Sequence, residues 1–215
     1  MCGRLWIGIL MVAIVGGVAA GDADPVKLPP PQAEGGMPLM QALKGRHSSR
    51  EVSVERLPPQ VLSDLLWAAA GVNRPESGKR TAPSARDWRE IDVYVAMAEG
   101  TYVFDPNAHA LRPVLSRDIR ALTGTQDFVP RAPVNLVYVA NLDRMTGPGS
   151  DQKGLYAAAA TGFIAQNVYL YCASAGLATV VRGSVDREAL AAALGLGPNQ
   201  TIILAQTVGY PKTGH

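Results

Sequence analysis

Residues 154–175 read Gly-Leu-Tyr-Ala-Ala-Ala-Ala-Thr-Gly-Phe-Ile-Ala-Gln-Asn-Val-Tyr-Leu-Tyr-Cys-Ala-Ser-Ala. Small and apolar residues fill nearly every position, among them Phe163, Ile164, Val168, Leu170 and Tyr171, so the stretch predicts one long helix with no polar face. A helix that is apolar all round must be buried. The chain has 215 residues, 47% of them hydrophobic, enough for one core of ordinary size and too little for a second full domain. The simplest way to bury every face of such a helix is to pack part of it against a second copy, so the pattern points to a homodimer. A fully internal helix in a monomer is the other arrangement it allows.

On either side the periodicity is conventional. Residues 57–71 place Leu62, Leu65, Leu66 and Ala69 on one helical stripe, with Pro58 and Pro59 at the start and Gly71 at the exit. Residues 91–98 and 101–104, separated by Glu99-Gly100, predict a hairpin. Residues 134–140 predict a third strand, 178–181 a short strand, 185–194 a helix ended by Gly195, and 201–208 a final strand. Residues 24–36 hold Pro25, Pro29, Pro30, Pro31, Gly35 and Gly36 without an apolar period, which predicts an extended tether ahead of a single folded domain, residues 37–215.

The first residues carry an export pattern. Arg4 precedes an apolar run from Leu5 to Val18, followed by the small residues Ala19, Ala20 and Gly21, so residues 1–23 read as a signal peptide and the mature protein as exported, to a periplasm-like compartment. A retained membrane anchor is the competing reading, but the run falls short of the roughly 20 apolar residues that a span requires. Removing the signal leaves Cys172 as the only cysteine, a small core residue in an apolar helix rather than half of a disulfide. Twenty basic against 18 acidic residues give a net charge of +2, which supplies no field for nucleic acid. His47, His109 and His215 lie too far apart, and from the cysteines, to suggest a metal site.

Three short stretches carry chemistry. Arg46-His47-Ser48-Ser49-Arg50 offers two guanidinium forks, hydroxyls and backbone amides close together, a donor set suited to a phosphate and equally to a solvated turn. Residues 81–88, Thr-Ala-Pro-Ser-Ala-Arg-Asp-Trp, form a small-residue loop that lets backbone amides reach a flat ligand edge. Residues 176–183, Gly-Leu-Ala-Thr-Val-Val-Arg-Gly, bracket a strand with glycines. No glycine-rich dinucleotide fingerprint and no Gly-Lys-Ser/Thr phosphate loop is present, so a nucleotide-like cofactor must be held another way.

In order and spacing these three stretches, with Gln166-Asn167 and residues 208–211 (Val-Gly-Tyr-Pro), resemble the FMN-dependent nitroreductase family from about Met37 to Lys212. The resemblance is closest to the short branch related to peptide azoline oxidases, whose middle loop often reads Pro-Ser-Ala-Arg-Asn-Trp. It implies an α+β, three-layer sandwich with a mostly antiparallel central sheet, and an intertwined homodimer with FMN in two interfacial clefts. Carried over, Arg46 and Ser48 bind the FMN phosphate with help from His47, and Arg50 approaches the pyrimidine edge of the flavin. Pro83, Ser84 and Ala85 line the ring from the partner subunit, the backbone at Arg182 and Gly183 donates toward flavin N5, and Lys212 adds charge near the phosphate.

Two departures stand out. Asp87 replaces the usual asparagine; its carboxylate can accept from flavin N3–H but cannot donate to O4, and its charge would disfavour a reduced flavin anion. Trp88-Arg89-Glu90 then replaces the Gln-Pro-Trp of better-known members, so the substrate side does not carry over. Tyr210, Tyr156 and Trp88 are candidates to shape the open face of the flavin, although aromatics are more often core. The resulting expectation is an FMN-dependent oxidoreductase with ping-pong transfer to a nitroaromatic, quinone or similar small acceptor, NAD(P)H being one candidate donor. An FMN-dependent dehydrogenase or oxidase, and an exported flavin-binding or ligand-binding protein without turnover, are the alternatives.

Overall fold

The computed structural model describes residues 23–147 and 149–212; all but the last residue of the expected signal peptide lies outside them. Among the described residues seven strands form one sheet in the order β1-β6-β5-β4-β7-β9-β8, and every pairing is antiparallel. The strands are β1 (Val26–Lys27), β4 (Ile91–Met97), β5 (Gly100–Asp105), β6 (Ala110–Leu115), β7 (Val134–Asn141), β8 (Ala178–Arg182) and β9 (Gln200–Gly209). A separate small hairpin joins β2 (Val72–Arg74) to β3 (Lys79–Arg80). Helices α1 (Leu39–Gly45), α2 (Pro59–Ala70) and α3 (Ser150–Ala175) lie on one face, and α4 (Arg187–Leu194) on the other.

Side-chain alternation along the central strands builds both cores. Val93, Val95, Leu136 and Tyr138 pack under Leu65, Leu66, Ile164 and Val168, while Tyr94, Ala96, Val137 and Val139 face Leu190 and Leu194. The layered α+β sandwich expected from the sequence is therefore present. Cys172 is wholly buried in the first core, and burial pushes its thiol pKa up, as befits a packing residue.

Three findings differ from the sequence reading. Strand β6 was not legible because Pro113 interrupts its pattern; the residue is tolerated beside an open sheet edge, since β1 covers only Ala110 and Leu111. Residues 26–30 are extended as expected but pinned: β1 pairs with β6, Ser63 Oγ donates to the Pro29 carbonyl at 2.6 Å, and Gln60 Nε2 donates to that of Pro30 at 3.0 Å. In α3, burial on every face is met on one face only. Ala157, Ala160, Thr161, Ile164, Val168 and Cys172 are buried, whereas Leu155 (69% exposed) and Phe163 (48%) face outward with Ala158, Ala159, Gly162 and Gln166. The fully internal monomer helix is thereby excluded, and no helix among the described residues is long and apolar enough to cross a membrane.

Candidate functional site

β8 ends the sheet, so one row of its backbone groups faces away from β9. In an antiparallel strand, alternate residues turn N–H and C=O to the same side. The Thr179 carbonyl accepts from Ser49 N–H at 2.9 Å, and Val181 N–H donates to the Tyr169 hydroxyl at 2.9 Å, so residues 179 and 181 form the outward row. The Tyr169 hydroxyl lies 2.8 Å from Ser48 Oγ, and the Arg46 guanidinium sits over the Tyr169 ring, 5.2 Å from its centroid. With Val181 donating to it, the tyrosine hydroxyl can donate to Ser48 Oγ, which leaves the serine hydroxyl able to donate outward. Arg182 pairs inward with Ala205, and the same alternation, continued one residue past β8, would make Gly183 N–H the next outward donor, about 7 Å further along.

Residues 46–53 are fixed beside this edge by their backbone. Ser53 N–H donates to the Tyr210 carbonyl at 2.8 Å, Lys212 N–H donates to that of Glu51 at 3.0 Å, and Val52 bridges to Pro211. Gly209 allows the approach, because a Cβ there would meet Val52 Cγ1 at 2.5 Å and Pro133 Cγ at 2.7 Å. Arg46, Ser48, Arg50, Lys212 and Gly183 are thus gathered on one side, with His47, Ser48, Arg50 and Lys212 exposed and Arg46 partly so. The ring of His47 turns to a local partner, its Nδ1 lying 2.8 Å from the Gly45 carbonyl oxygen.

The Pro83-Ser84-Ala85 loop is held differently. Ser84 Oγ donates to Glu90 Oε2 at 2.6 Å and accepts from Arg89 N–H at 2.9 Å, and Glu90 is completely buried. Asp87 is gripped by Arg89 through two bonds, Nε to Oδ1 at 2.9 Å and Nη2 to Oδ2 at 2.6 Å, and that hydrogen bonding holds the carboxyl below its ordinary pKa. Asp87, expected from the sequence as a carboxylate able to accept from flavin N3–H, therefore has a cation beside it: each oxygen already accepts one bond from Arg89 and keeps a lone pair for a further donor. Trp88 packs edge-on to Tyr156 at 5.5 Å between ring centroids.

The two groups lie at opposite ends of the sheet. The loop leads into β4 at Ile91, which pairs with Ala140, whereas residues 46–53 sit by Val208, which pairs with Val134 at the other end of β7, roughly 20 Å away. Helix α3 reports the same separation: Tyr156 touches the loop, and Tyr169, thirteen residues or about 20 Å later, touches the 46–50 segment. One chain therefore does not bring all the sequence-predicted residues together. A hollow of about 770 Å³ between β1, the start of α2 and the β4–β5 turn contains none of them.

The side chain of Arg182, for which the sequence suggested only a backbone role, is 4% exposed and donates to Thr207 Oγ1 (3.1 Å), the Thr123 carbonyl (2.7 Å) and Asn135 Oδ1 (3.0 Å). Burial lowers its pKa to about 10, so it is a cation at neutral pH, set among neutral acceptors behind β8. Tyr169, Glu90 and Arg89 were also missed as supporting residues. Tyr169 was hidden in an apolar run, and Glu90 and Arg89 in a loop whose contacts are not periodic.

Comparison with known proteins agrees with this architecture. Residues 43–210 match the nitroreductase family. A Methanocaldococcus jannaschii protein, provisionally named a nitroreductase, is 33% identical over 174 residues, 76% of this chain and 86% of that one. A crystal structure from Ralstonia eutropha, likewise named provisionally, superposes with a TM-score of 0.85 at 45% identity over 97% of both chains. A Vibrio harveyi NADPH:FMN oxidoreductase, solved with NAD+, shares the fold at a TM-score of 0.62 and 17% identity, covering 81% of this chain and 69% of that one. The chain belongs to the nitroreductase family, whose members are flavin-dependent oxidoreductases that typically bind FMN.

Proposed function

We propose that the protein is an exported, homodimeric oxidoreductase that holds FMN between its subunits and reduces a small acceptor. One observation carries this reading: the exposed apolar stripe of α3 is centred on Gly162 and Phe163, midway between Tyr156 and Tyr169. A second α3 packed antiparallel about that point would set the 83–87 loop of one chain beside the 46–50 segment of the other. It would also cover the stripe, whose burial the composition demands.

The chain's own groups fit FMN. Arg46, the exposed Ser48 hydroxyl and Lys212 suit a single phosphate. Arg50 supplies a cation for the pyrimidine edge, Gly183 the outward N–H, and Pro83, Ser84 and Ala85 a small-residue wall from the partner subunit. When bound, FMN supplies two-electron chemistry in separate donor and acceptor half-reactions. The Asp87–Arg89 pairing weakens one argument for a binder without turnover, because Arg89 offsets the Asp87 charge. Export leaves the electron donor open, since NAD(P)H is not maintained outside the cytoplasm.

Purified without residues 1–23, the protein should be yellow and release FMN on heating. Release of FAD, or a colourless protein that takes up no added FMN, would overturn the proposal. Rapid-mixing reduction then separates an enzyme from a binder: bleaching by NAD(P)H and recovery with menadione or a nitroaromatic marks the reductase, and bleaching by dithionite alone marks the binder.

A further inference from the structure

The 83–90 loop also walls a second hollow, of about 330 Å³, against the β5–β6 hairpin. Four guanidinium groups line it, from Arg80, Arg89, Arg112 and Arg144, against the two carboxylates of Asp92 and Asp105. Three of the four have partners. Arg144 forms a two-point pair with Asp92 at 2.9 Å, Arg89 is bound to Asp87, and Arg112 lies 3.6 Å from Asp105.

Arg80 has none: among the described residues its side chain makes no ion pair and donates no hydrogen bond, and its Nε is buried without a partner. Burial first, and then repulsion from Arg89, push its pKa below the ordinary arginine value. Folded proteins leave few buried donors in this condition, and those that occur need a water or an ion to account for them. One water accounts for part. Arg80 and Glu90, whose Oε1 is also buried and unpartnered, both line a separate cavity of about 30 Å³, room for a single water that could serve one N–H of the guanidinium's five. The guanidinium also lines the larger hollow, and Asp92 and Asp87 attract it without forming an ion pair with it.

The wall of that hollow is held against backbone preference. Arg86, Asp87 and Arg89 have φ of 50°, 56° and 51°, an unfavourable region for residues other than glycine, and between them they fix Trp88, over which Arg86 sits at 5.6 Å. Such strain persists where neighbouring contacts enforce it, and it gathers at ligand sites.

We propose that this hollow is an anion site in which Arg80 is the principal cation, taking the carboxylate or phosphate of a small ligand whose flat body lies against Trp88. Its volume is at the lower end of small-molecule sites. The assignment does not depend on where FMN binds.

Calorimetric titration of the flavin-loaded protein with inorganic phosphate and, separately, with benzoate tests it. At least one should bind saturably and raise the unfolding temperature. Binding of phosphate alone points to a phosphate ligand, and binding of benzoate to a carboxylate on a flat body. Arg80→Gln should weaken binding about tenfold or more, as loss of a charge-assisted bond does, and abolish the thermal shift. Because Arg80 makes no ion pair and donates no side-chain hydrogen bond among the described residues, this variant should fold with little loss of stability in anion-free buffer; Arg112→Gln, at an exposed position, provides a second and weaker loss. Absence of saturable binding by either probe, binding unchanged in both variants, or binding abolished instead by Arg46→Ala would overturn the assignment.

Discussion

At the open edge of β8, residues 46–53 are positioned by backbone hydrogen bonds to Thr179, Tyr210 and Lys212, and the side chains of Ser48, Arg50 and Lys212 are left to solvent. In the 83–90 loop the side chains do the holding, through Ser84 to Glu90 and Arg89 to Asp87, and three backbone residues sit at positive φ. A segment fixed by its backbone can offer its cations to a ligand. A loop fixed by its side chains has spent most of them on itself, which is why Arg80, on the neighbouring β3, is conspicuous beside it. Substitutions in the first region should therefore change what is bound, and in the second how the loop is shaped and how stable it is.

The largest expected effect breaks the link between the two regions. Phe163→Glu places a charge at the centre of the exposed α3 stripe, where a folded single chain tolerates it and a close-packed partner does not. Light scattering should report half the wild-type mass, with loss of FMN; an unchanged dimer that retains FMN would refute the proposed packing. Arg46→Ala comes next, removing a charge-assisted contact of roughly 1.5–3 kcal/mol, so FMN affinity measured by fluorescence quenching should fall about ten- to a hundredfold, with the midpoint potential of bound flavin little changed. Arg50→Ala should do the reverse, lowering the potential with a smaller loss of affinity, and Arg50→Lys should restore most of it. If the two alanine variants behave alike, their separate roles are disproved.

Smaller effects belong to the loop. Glu90→Ala leaves Ser84 Oγ without its buried acceptor and opens a cavity, for a cost of about 2 kcal/mol, so the midpoint of thermal unfolding should drop by about 4–8 °C while Arg46-dependent phosphate affinity is preserved. The Asp87–Arg89 pair gives the smallest signal. Arg89 lowers the folded-state pKa of Asp87, so the pair's contribution to stability is complete above the unfolded aspartate pKa, near 4, and is lost as pH falls through the still lower folded value. The difference in unfolding temperature between wild type and Asp87→Asn should be constant from about pH 8 to 5 and shrink below about pH 4. A difference that instead changes around neutrality would show that another group controls the loop.

Much of the fold was written in local pattern. The stripe at Leu62, Leu65, Leu66 and Ala69, the Glu99-Gly100 turn and the β-branched runs place α2, β4, β5, β7, β8 and β9 within a residue or two of where they stand, because helix and strand periods are set by burial of one face. Strand β6 escaped because its proline is harmless only beside an edge, and edges are a property of the assembled sheet. The ordered motifs at 46–50, 83–87, 176–183 and 208–211 likewise announced the family, since each stretch keeps a backbone shape and donor set that can be read in isolation.

Sequence by itself also determined that α3 has no polar face, and hence that some apolar surface must seek cover. Only the tertiary structure decided which face is left open, that Arg182 pairs inward with Ala205, that Asp87 is held by Arg89, and that Arg80 Nε is buried without a hydrogen-bond partner. These depend on strand register, on the direction of single side chains and on which charges meet across the chain. Composition and periodicity average over such long-range relations, so they become definite only when the sheet closes its ladder and the helices settle on it.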